Sequence, residues 1–298
     1  MLSILIPIYN QDARKLIVTL AEQCQKCGIN YQILVFDDAS KDRYKKINRR
    51  AETVFGVSYI EFRENMGRSK IRNKLGFNAM YDHLLFLDCD SKIISKKYIK
   101  NYLKVINKAP VIYGGTIYSR RAPKARSKKL HWLYGNKRER LPLHKRKHYP
   151  YQSFRSNNFI INRDIFLKHP FDEEITGYGH EDTLFAQDLE KSGHKILHID
   201  NPVRHGGLEK TEKFLKKVEE GVNNLVKLRL RGKQIETSLT RFHSKLDRWG
   251  LLSIARFILK VLRGTIQRRL NSSNPSILWL DLYKLDLYDK ALKKGNDD

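Results

Sequence analysis

The stretch "HLLFLDCDSKI" (83–93) runs four apolar residues, Leu84 to Leu87, into two acids, Asp88 and Asp90. Carboxylates two residues apart at a strand end point the same way and suit one hard cation, of the kind that links protein oxygens to substrate phosphates. The competing reading is a turn whose Asp side chains accept local backbone N–H bonds. "YQILVFDDAS" (31–40) repeats the theme with Asp37 and Asp38. There the acids suit hydrogen bonds from a base or a ribose, while Asp38 or Ser40 equally suits a cap on the next helix. In "GYGHEDTLFAQDL", Glu181 and Asp182 follow a glycine-rich turn at the start of a helical pattern. A helix N-terminus favours their ionised forms, which fits a general base for an alcohol as well as ordinary first-turn acids. His205 in "NPVRHGG" follows a further strand, and imidazole is a metal ligand beside carboxylates, for Mn²⁺ especially.

These groups need a frame to meet. Segments 2–9, 31–40, 57–62 and 83–90 read as strands, and 13–27, the stretch ending near Phe55, and 67–80 as helices. Such alternation argues for a mostly parallel sheet covered on both faces, with ligands bound beyond the carboxyl ends of the strands. Asp37, Asp38, Asp88 and Asp90 all fall on that rim. "SNNFIINRDIFLKH" then reads as a strand and short helix, and a helix followed by a strand ends near Asp200. From Glu209 onward the pattern is helical and basic, with a break at "NSSNP" (271–275). At 298 residues the chain suffices for one large α/β domain or two modest ones.

Four segments in order, "SILIPIYN", "ILVFDDAS", "ENMGRSKIRN" and "LLFLDCDS", resemble the amino-terminal half of family 2 glycosyltransferases, over about residues 1–115. The resemblance implies the GT-A fold, a Rossmann-like α/β sheet with helices on both faces, here with a helical C-terminal extension, and transfer of a sugar from a nucleotide-sugar donor. It implies Asp37 and Asp38 beside the nucleobase, with Asp38 the better match. Pro7, Arg68 and Arg72 would complete the nucleotide site, Asp88 would lie near ribose and metal, and Asp90 would ligate Mn²⁺ or Mg²⁺. "GYGHEDTLFAQDL" resembles the "GWGxED" segment of galactosyltransferase carboxyl-terminal regions. By that likeness Asp182 is the base, and Glu181 and Tyr178 hold the acceptor. Tyr178 stands where that pattern usually has Trp and His180 where it often has Gly, which bears on acceptor specificity. Similar enzymes also place a metal-ligating His where His205 lies. The expectation is an inverting hexosyltransferase using a UDP-sugar, of galactose or N-acetylgalactosamine type. Its acceptor would be a glycan or lipid-linked glycan in surface polysaccharide synthesis.

The domain expectation is a nucleotide-sugar half over 1–118, a basic loop over 119–150, an acceptor half over 151–207 and a basic helical extension over 208–298. Between 119 and 148 lie twelve Lys and Arg residues against one acid, Glu139, with Pro123, Gly135 and Pro142 as breakers. This reads as a mobile loop, either a solvated insertion or an anion-binding lid. In "WGLLSIARFILKVLRGTIQRRL", Arg256, Lys260 and Arg263 form a basic stripe on an otherwise apolar helix begun by Trp249. One reading is a helix lying in an anionic membrane interface, the other a helix packed on the catalytic domain with that stripe outward.

The net charge of +26 favours polyanionic neighbours without choosing among them. A nucleic-acid-binding role would need only that charge and leaves the rim acids unexplained, so nucleic acid is not an expected partner. A sugar-phosphate nucleotidyltransferase would follow its first strand with a glycine-rich loop, and "IPIYNQDARK" has no glycine. Three cysteines and the absence of a basic leader or an apolar run of about 18 residues point to a cytoplasmic protein, peripheral at most on the inner membrane face. Cys24 and Cys27 lack a second pair for a zinc site and read as packing.

Overall fold

The computed structural model describes residues 1–233 and 235–297, which fall into two compact units. The first comprises Met1–Tyr118, Glu139–Thr176 and Glu181–Gly207. Its centre is strand β1 (Leu2–Ile8), paired in parallel with β2 (Tyr31–Asp37) on one side and β4 (His83–Leu87) on the other. With β3 (Val57–Glu61), β6 (Val111–Tyr113), β8 (Asn158–Asn162) and β9 (Ile196–His198) it makes a seven-stranded sheet in the order β3-β2-β1-β4-β8-β6-β9. Only β8 runs against its neighbours β4 and β6.

β1 is covered on both faces, so apart from Ser3 and Pro7 it consists of Leu and Ile. Ile4, Ile6 and Ile8 pack on one face with Leu16, Ile17 and Leu20 of α1 (Arg14–Lys26), whereas Leu5 joins Phe86, Phe159 and Phe166 on the other. Cys24 sits in the first of these clusters, its thiol pushed up to about 12 chiefly by burial, in keeping with a packing role. Pro7 lies beyond the last β1–β4 pair, Leu5 with Phe86, so its missing N–H removes nothing from that ladder.

A second sheet orders β5 (Ser91–Ile93), β10 (Val203–His205) and β7 (Thr116–Ile117). A buried polar hub leads the chain from the first sheet into it. Asn158 Oδ1 accepts hydrogen bonds from the hydroxyls of Tyr98 (2.6 Å) and Tyr102 (2.7 Å), and its Nδ2 donates to the Gly115 carbonyl (2.8 Å). A Cβ on Gly114 would stand 2.4 Å from the Tyr102 hydroxyl oxygen, so glycine is required there.

The segment expected to be a mobile loop is folded instead. It contains α5 (Lys129–Tyr134), a π turn over Gly135–Glu139 and α6 (Leu143–His148), with Pro142 at the N-cap of α6, where a missing N–H is harmless. Leu130 is wholly buried. Arg146 is buried as well: its guanidinium donates to the Leu141 and Ile199 carbonyls and lies over the Tyr113 ring. Counting charge missed that an Arg stem and head can be satisfied by carbonyls and a ring.

The second unit comprises Ser119–Arg138, Gly177–His180 and Leu208–Asp298. Its helices are α9 (Thr211–Leu230), α10 (Ser238–Arg248), α11 (Leu252–Leu270) and α12 (Ile277–Asp297), with the expected break after Leu270. Leu215 and Val218 of α9 join Leu259 and Ile266 of α11 and Leu280 and Leu285 of α12 in one apolar cluster. Thr237 and Thr240 cap α10 reciprocally. Among the described residues no helix is long and apolar enough to cross a membrane.

Candidate active site

The carboxyl ends of β1, β2 and β4 form the rim where the acids were expected. Asp37 is fully buried and turned inward, accepting from the Ser40 N–H (2.7 Å) and the Tyr59 hydroxyl (2.8 Å). These bonds make Asp37 an anchor of the strand end. Asp38 accepts from the N–H groups of Met66 (2.7 Å) and Gly67 (3.1 Å), and Asn65 donates to its carbonyl. It thereby fixes the turn that opens α3 (Arg68–Phe77), with Gly67 at a positive φ of 85° that favours glycine. Burial pushes the Asp38 carboxyl up, and those two N–H bonds pull against it. Neither Asp38 nor Ser40 caps the helix that follows them, α2 (Asp42–Asn48), whose N-cap is Lys41.

From α3, one turn apart, Arg68 and Arg72 reach two acids of different elements. Arg72, 2% exposed, meets Asp88 Oδ1 at 2.6 Å, and its other terminal nitrogen lies 3.9 Å from Glu181. Arg68 meets Glu181 Oε1 at 2.7 Å and Asp88 Oδ2 at 3.7 Å. Glu181 opens α8 (Glu181–Lys191) and is 4% exposed. Glu181, which the resemblance assigns to the acceptor, meets both arginines. Its neighbour Asp182 keeps a more open carboxylate, 3.7 Å from Arg155 Nε. Burial raises the Asp182 pKa, Arg155 works against that, and Glu181 adds to it. The helix N-terminus therefore does not dominate this group. A carboxylate moved upward toward neutrality is a better proton acceptor.

The second sheet brings Asp90 and His205 together. β10 pairs antiparallel with β5 so that His205 faces Ser91, which sets Asp90 Oδ2 3.2 Å from His205 Nδ1. The Gly206 N–H donates to the Asp90 carbonyl (3.0 Å), and a Cβ on Gly207 would stand 2.2 Å from Asp90 Oδ2. The "HGG" sequence is thus what lets this backbone close on the carboxylate. Burial opposes the protonated form of His205, but the hydrogen bond and charge of Asp90 outweigh it and raise the imidazole pKa. The Tyr118 ring lies 5.0 Å from the His205 ring, and its hydroxyl donates to Glu139. Cys89, between the two acids, packs toward the core with its thiol pushed up to about 12 by burial.

The donor set of carboxylate and imidazole suits Mn²⁺ or Mg²⁺. Among the described residues no group of three or more His, Cys, Asp and Glu is arranged to hold a metal, so the chain offers the pair Asp90 and His205. Asp88, expected to share that role, is held by Arg72. Two protein ligands fit a cation that keeps water and substrate phosphates as its remaining ligands.

The first unit therefore brings together Arg68, Arg72, Asp88, Glu181 and Asp182, and separately Asp90 with His205. Tyr178 belongs to the second unit, where Lys217 lies over its ring and Asn224 donates to its carbonyl. Sequence reading missed Arg155, Tyr118 and Glu139. A lone acid in a basic run was the available signal for Glu139, while Arg155 had none, since its partner lies 27 positions away.

Residues 3–167 match the model of glycosyl transferase family 2, more than half of the chain. Chondroitin synthase of Escherichia coli is 27% identical over 226 residues, 64% of this chain and 32% of that protein. The uncharacterized glycosyltransferase YfnE of Bacillus subtilis is 30% identical over 101 residues, 33% of this chain and 26% of that protein. The matched regions thus span about a third or less of these relatives' own length. Among solved structures, the mannosyltransferase PcManGT of Pyrobaculum calidifontis, in complex with GDP-Man and Mn²⁺, superposes with a TM-score of 0.56 at 12% identity. That match covers 98% of this chain and 86% of the other. Mannosyl-3-phosphoglycerate synthase of Rubrobacter xylanophilus gives 0.55 at 16% identity, over 80% and 77% of the two chains. The fold is GT-A, and the chain belongs to glycosyl transferase family 2.

Proposed function

We propose that this glycosyltransferase moves a hexose, of galactose or N-acetylgalactosamine type, from a UDP-sugar to a hydroxyl of a glycan or lipid-linked glycan, with inversion. The observation that carries this reading is the Asp182 carboxylate. It stands at the start of α8, opposed by Arg155, and is tied through Glu181, Arg68 and Arg72 to Asp88 on the nucleotide rim. Asp182 takes the acceptor hydroxyl proton as that oxygen attacks the anomeric carbon, and one displacement inverts the configuration. Asp90 and His205 would hold Mn²⁺ or Mg²⁺, which when bound neutralises the charge developing on the leaving diphosphate. Asp38 and Arg72 shape the nucleotide rim, with Asp88 oriented toward the ribose by its arginine.

The relatives support the class of substrate. A chondroitin synthase is among them, and a solved neighbour, glucosyl-3-phosphoglycerate synthase of Mycobacterium tuberculosis, is in complex with Mg²⁺ and UDP. A lipid-linked acceptor would bring the reaction to a membrane face, which suits the basic helical tail. No observation favours the nucleotidyltransferase or nucleic-acid alternatives.

The test is a panel of nucleotide sugars with and without Mn²⁺, read by thermal shift, since a ligand of the native state raises the melting temperature. Transfer is then measured with the donor so found. Asp182→Asn should lower transfer by about 10²–10⁴-fold while leaving donor binding nearly intact, and Asp90→Ala should abolish transfer and weaken Mn²⁺-dependent donor binding. Full transfer by either variant sinks the assignment.

A further inference from the structure

Helix α11 presents two unlike faces. On one, Leu259, Ile266 and Leu270 are buried in the apolar cluster shared with α12. On the same side Arg256 pairs with Asp289 (2.8 Å), and Arg263 lies 3.7 Å from Asp286, both acids of α12. Two members of the basic stripe, Arg256 and Arg263, thus turn toward acids of α12 while Lys260 stays exposed, and the helix also turns an apolar stripe to water. Ile254, Phe257, Ile258 and Val261 follow i, i+3, i+4 and i+7 spacing and are 58%, 69%, 47% and 66% exposed. Trp249, 64% exposed, precedes them across the Gly250 turn, whose φ is +67°. Four large apolar residues in one helical stripe exceed the scattered exposure usual on a protein surface.

The surrounding charge identifies what covers this stripe. Residues 238–270 contain eight Lys and Arg side chains and one acid, Asp247. Two of the eight are the arginines paired with α12. Arg241, Lys245 and Arg248 on α10, and Lys260, Arg268 and Arg269 on α11, are exposed. A partner protein or second copy would meet this surface only by bringing matching acids around its own apolar patch, and another copy of a chain at +26 lacks such an excess. An anionic bilayer supplies apolar depth and diffuse negative charge together. Apolar side chains enter the acyl boundary while long basic side chains reach the headgroups.

We propose that the exposed face of α11, with Trp249 at its start, is a docking surface for an anionic lipid bilayer. Helix and bilayer plane lie parallel, with Phe257 and Val261 at the deepest level, Lys260 on the flank at the headgroups, and Arg268, on the same face as Val261, extending its long side chain back to the headgroups. This does not rest on the transfer reading: vesicle binding measures one and donor-induced thermal shift the other.

The full chain is sedimented with vesicles of phosphatidylcholine, alone or mixed with phosphatidylglycerol, at low and high salt. The expected result is binding to the mixed vesicles that weakens with salt, and little binding to the neutral ones. The double substitution Phe257→Asp with Val261→Asp, at positions about two-thirds exposed, should weaken binding by about tenfold or more with little change in melting temperature. Lys260→Glu with Arg268→Glu should remove the preference for anionic vesicles. The proposal is overturned if wild type ignores both vesicle types, if it binds both equally, or if the apolar double variant binds as well as wild type. A wild-type dimer that the same variant dissolves, without vesicle binding, would assign the face to a second copy instead.

Discussion

At the scale of single residues, the site is a set of opposed charges whose pKa shifts have identifiable causes. Asp182 is raised by burial and restrained by Arg155. Only its ionised form accepts a proton, so the acid limb of kcat/KM should follow its pKa. Removing the restraint should move that limb to higher pH. Arg155→Gln is therefore expected to shift the limb upward while leaving the rate on the high-pH plateau within about tenfold of wild type. A limb that stays in place would make Arg155 a purely structural contact. The tightest pairs, Arg72 with Asp88 and Arg68 with Glu181, join residues 16 and 113 positions apart. The acids were legible as acids at a rim and a helix start. Which arginine each would meet was not, because an ion pair depends on side chains from different elements converging.

At the scale of elements, two devices hold the rim in shape. One is the β5–β10 pairing that closes Gly206 and Gly207 over Asp90. A methyl group at residue 207 would overlap the Asp90 carboxylate, so Gly207→Ala should weaken Mn²⁺-dependent donor binding. The overlap lies at the end of a short strand, so the melting temperature should change little. Isothermal titration with Mn²⁺ and UDP checks this, and unaltered metal dependence would show that Asp90 accommodates the methyl. The other device is the Asn158 hub between the two sheets. Asn158→Ala strands the buried Tyr98 hydroxyl and removes the donor to the Asn201 carbonyl, while Tyr102 keeps the main-chain carbonyl of residue 158; each unsatisfied buried polar group costs about 1–3 kcal/mol. Urea unfolding should show a loss of about 2–4 kcal/mol with an unchanged m-value. The strands and helices of the first third were readable from apolar period and turn residues. The folded state of residues 129–148 was not, because a high local charge concealed the burial of Leu130 and Arg146.

At the scale of the whole molecule, one buried histidine makes stability depend on pH. His198 is 2% exposed, bonded to the Pro150 carbonyl at 2.8 Å and close to Arg146, and burial pushes its pKa down to about 4. Its folded value is below the ordinary imidazole value, so the unfolded chain takes up the proton first as pH falls. The contribution is complete above about pH 6.5 and is lost progressively toward about pH 4, by at most about 3 kcal/mol. Urea midpoints should therefore fall between about pH 7 and about pH 5, and His198→Gln should flatten that slope. An equally steep slope in the variant would assign the pH dependence to other groups.

The amino-acid sequence by itself determined the parallel sheet, the rim that gathers Asp38, Asp88 and Asp90, the helix opened by Glu181 and Asp182, and the basic helical tail. All of these follow from apolar period, turn chemistry and residue type within one element. Only the tertiary structure decided which rim acids are spent on the protein itself. Asp37 serves a turn and Tyr59, Glu181 serves two arginines, and Asp88 is held by Arg72. It also decided the orientation of α11, whose Arg256 and Arg263 meet acids on α12 while Ile254, Phe257, Ile258 and Val261 stay in water. The physical reason is the same in each case. A periodic pattern says that a helix or strand has two faces, but which face is buried depends on what another part of the chain brings to meet it.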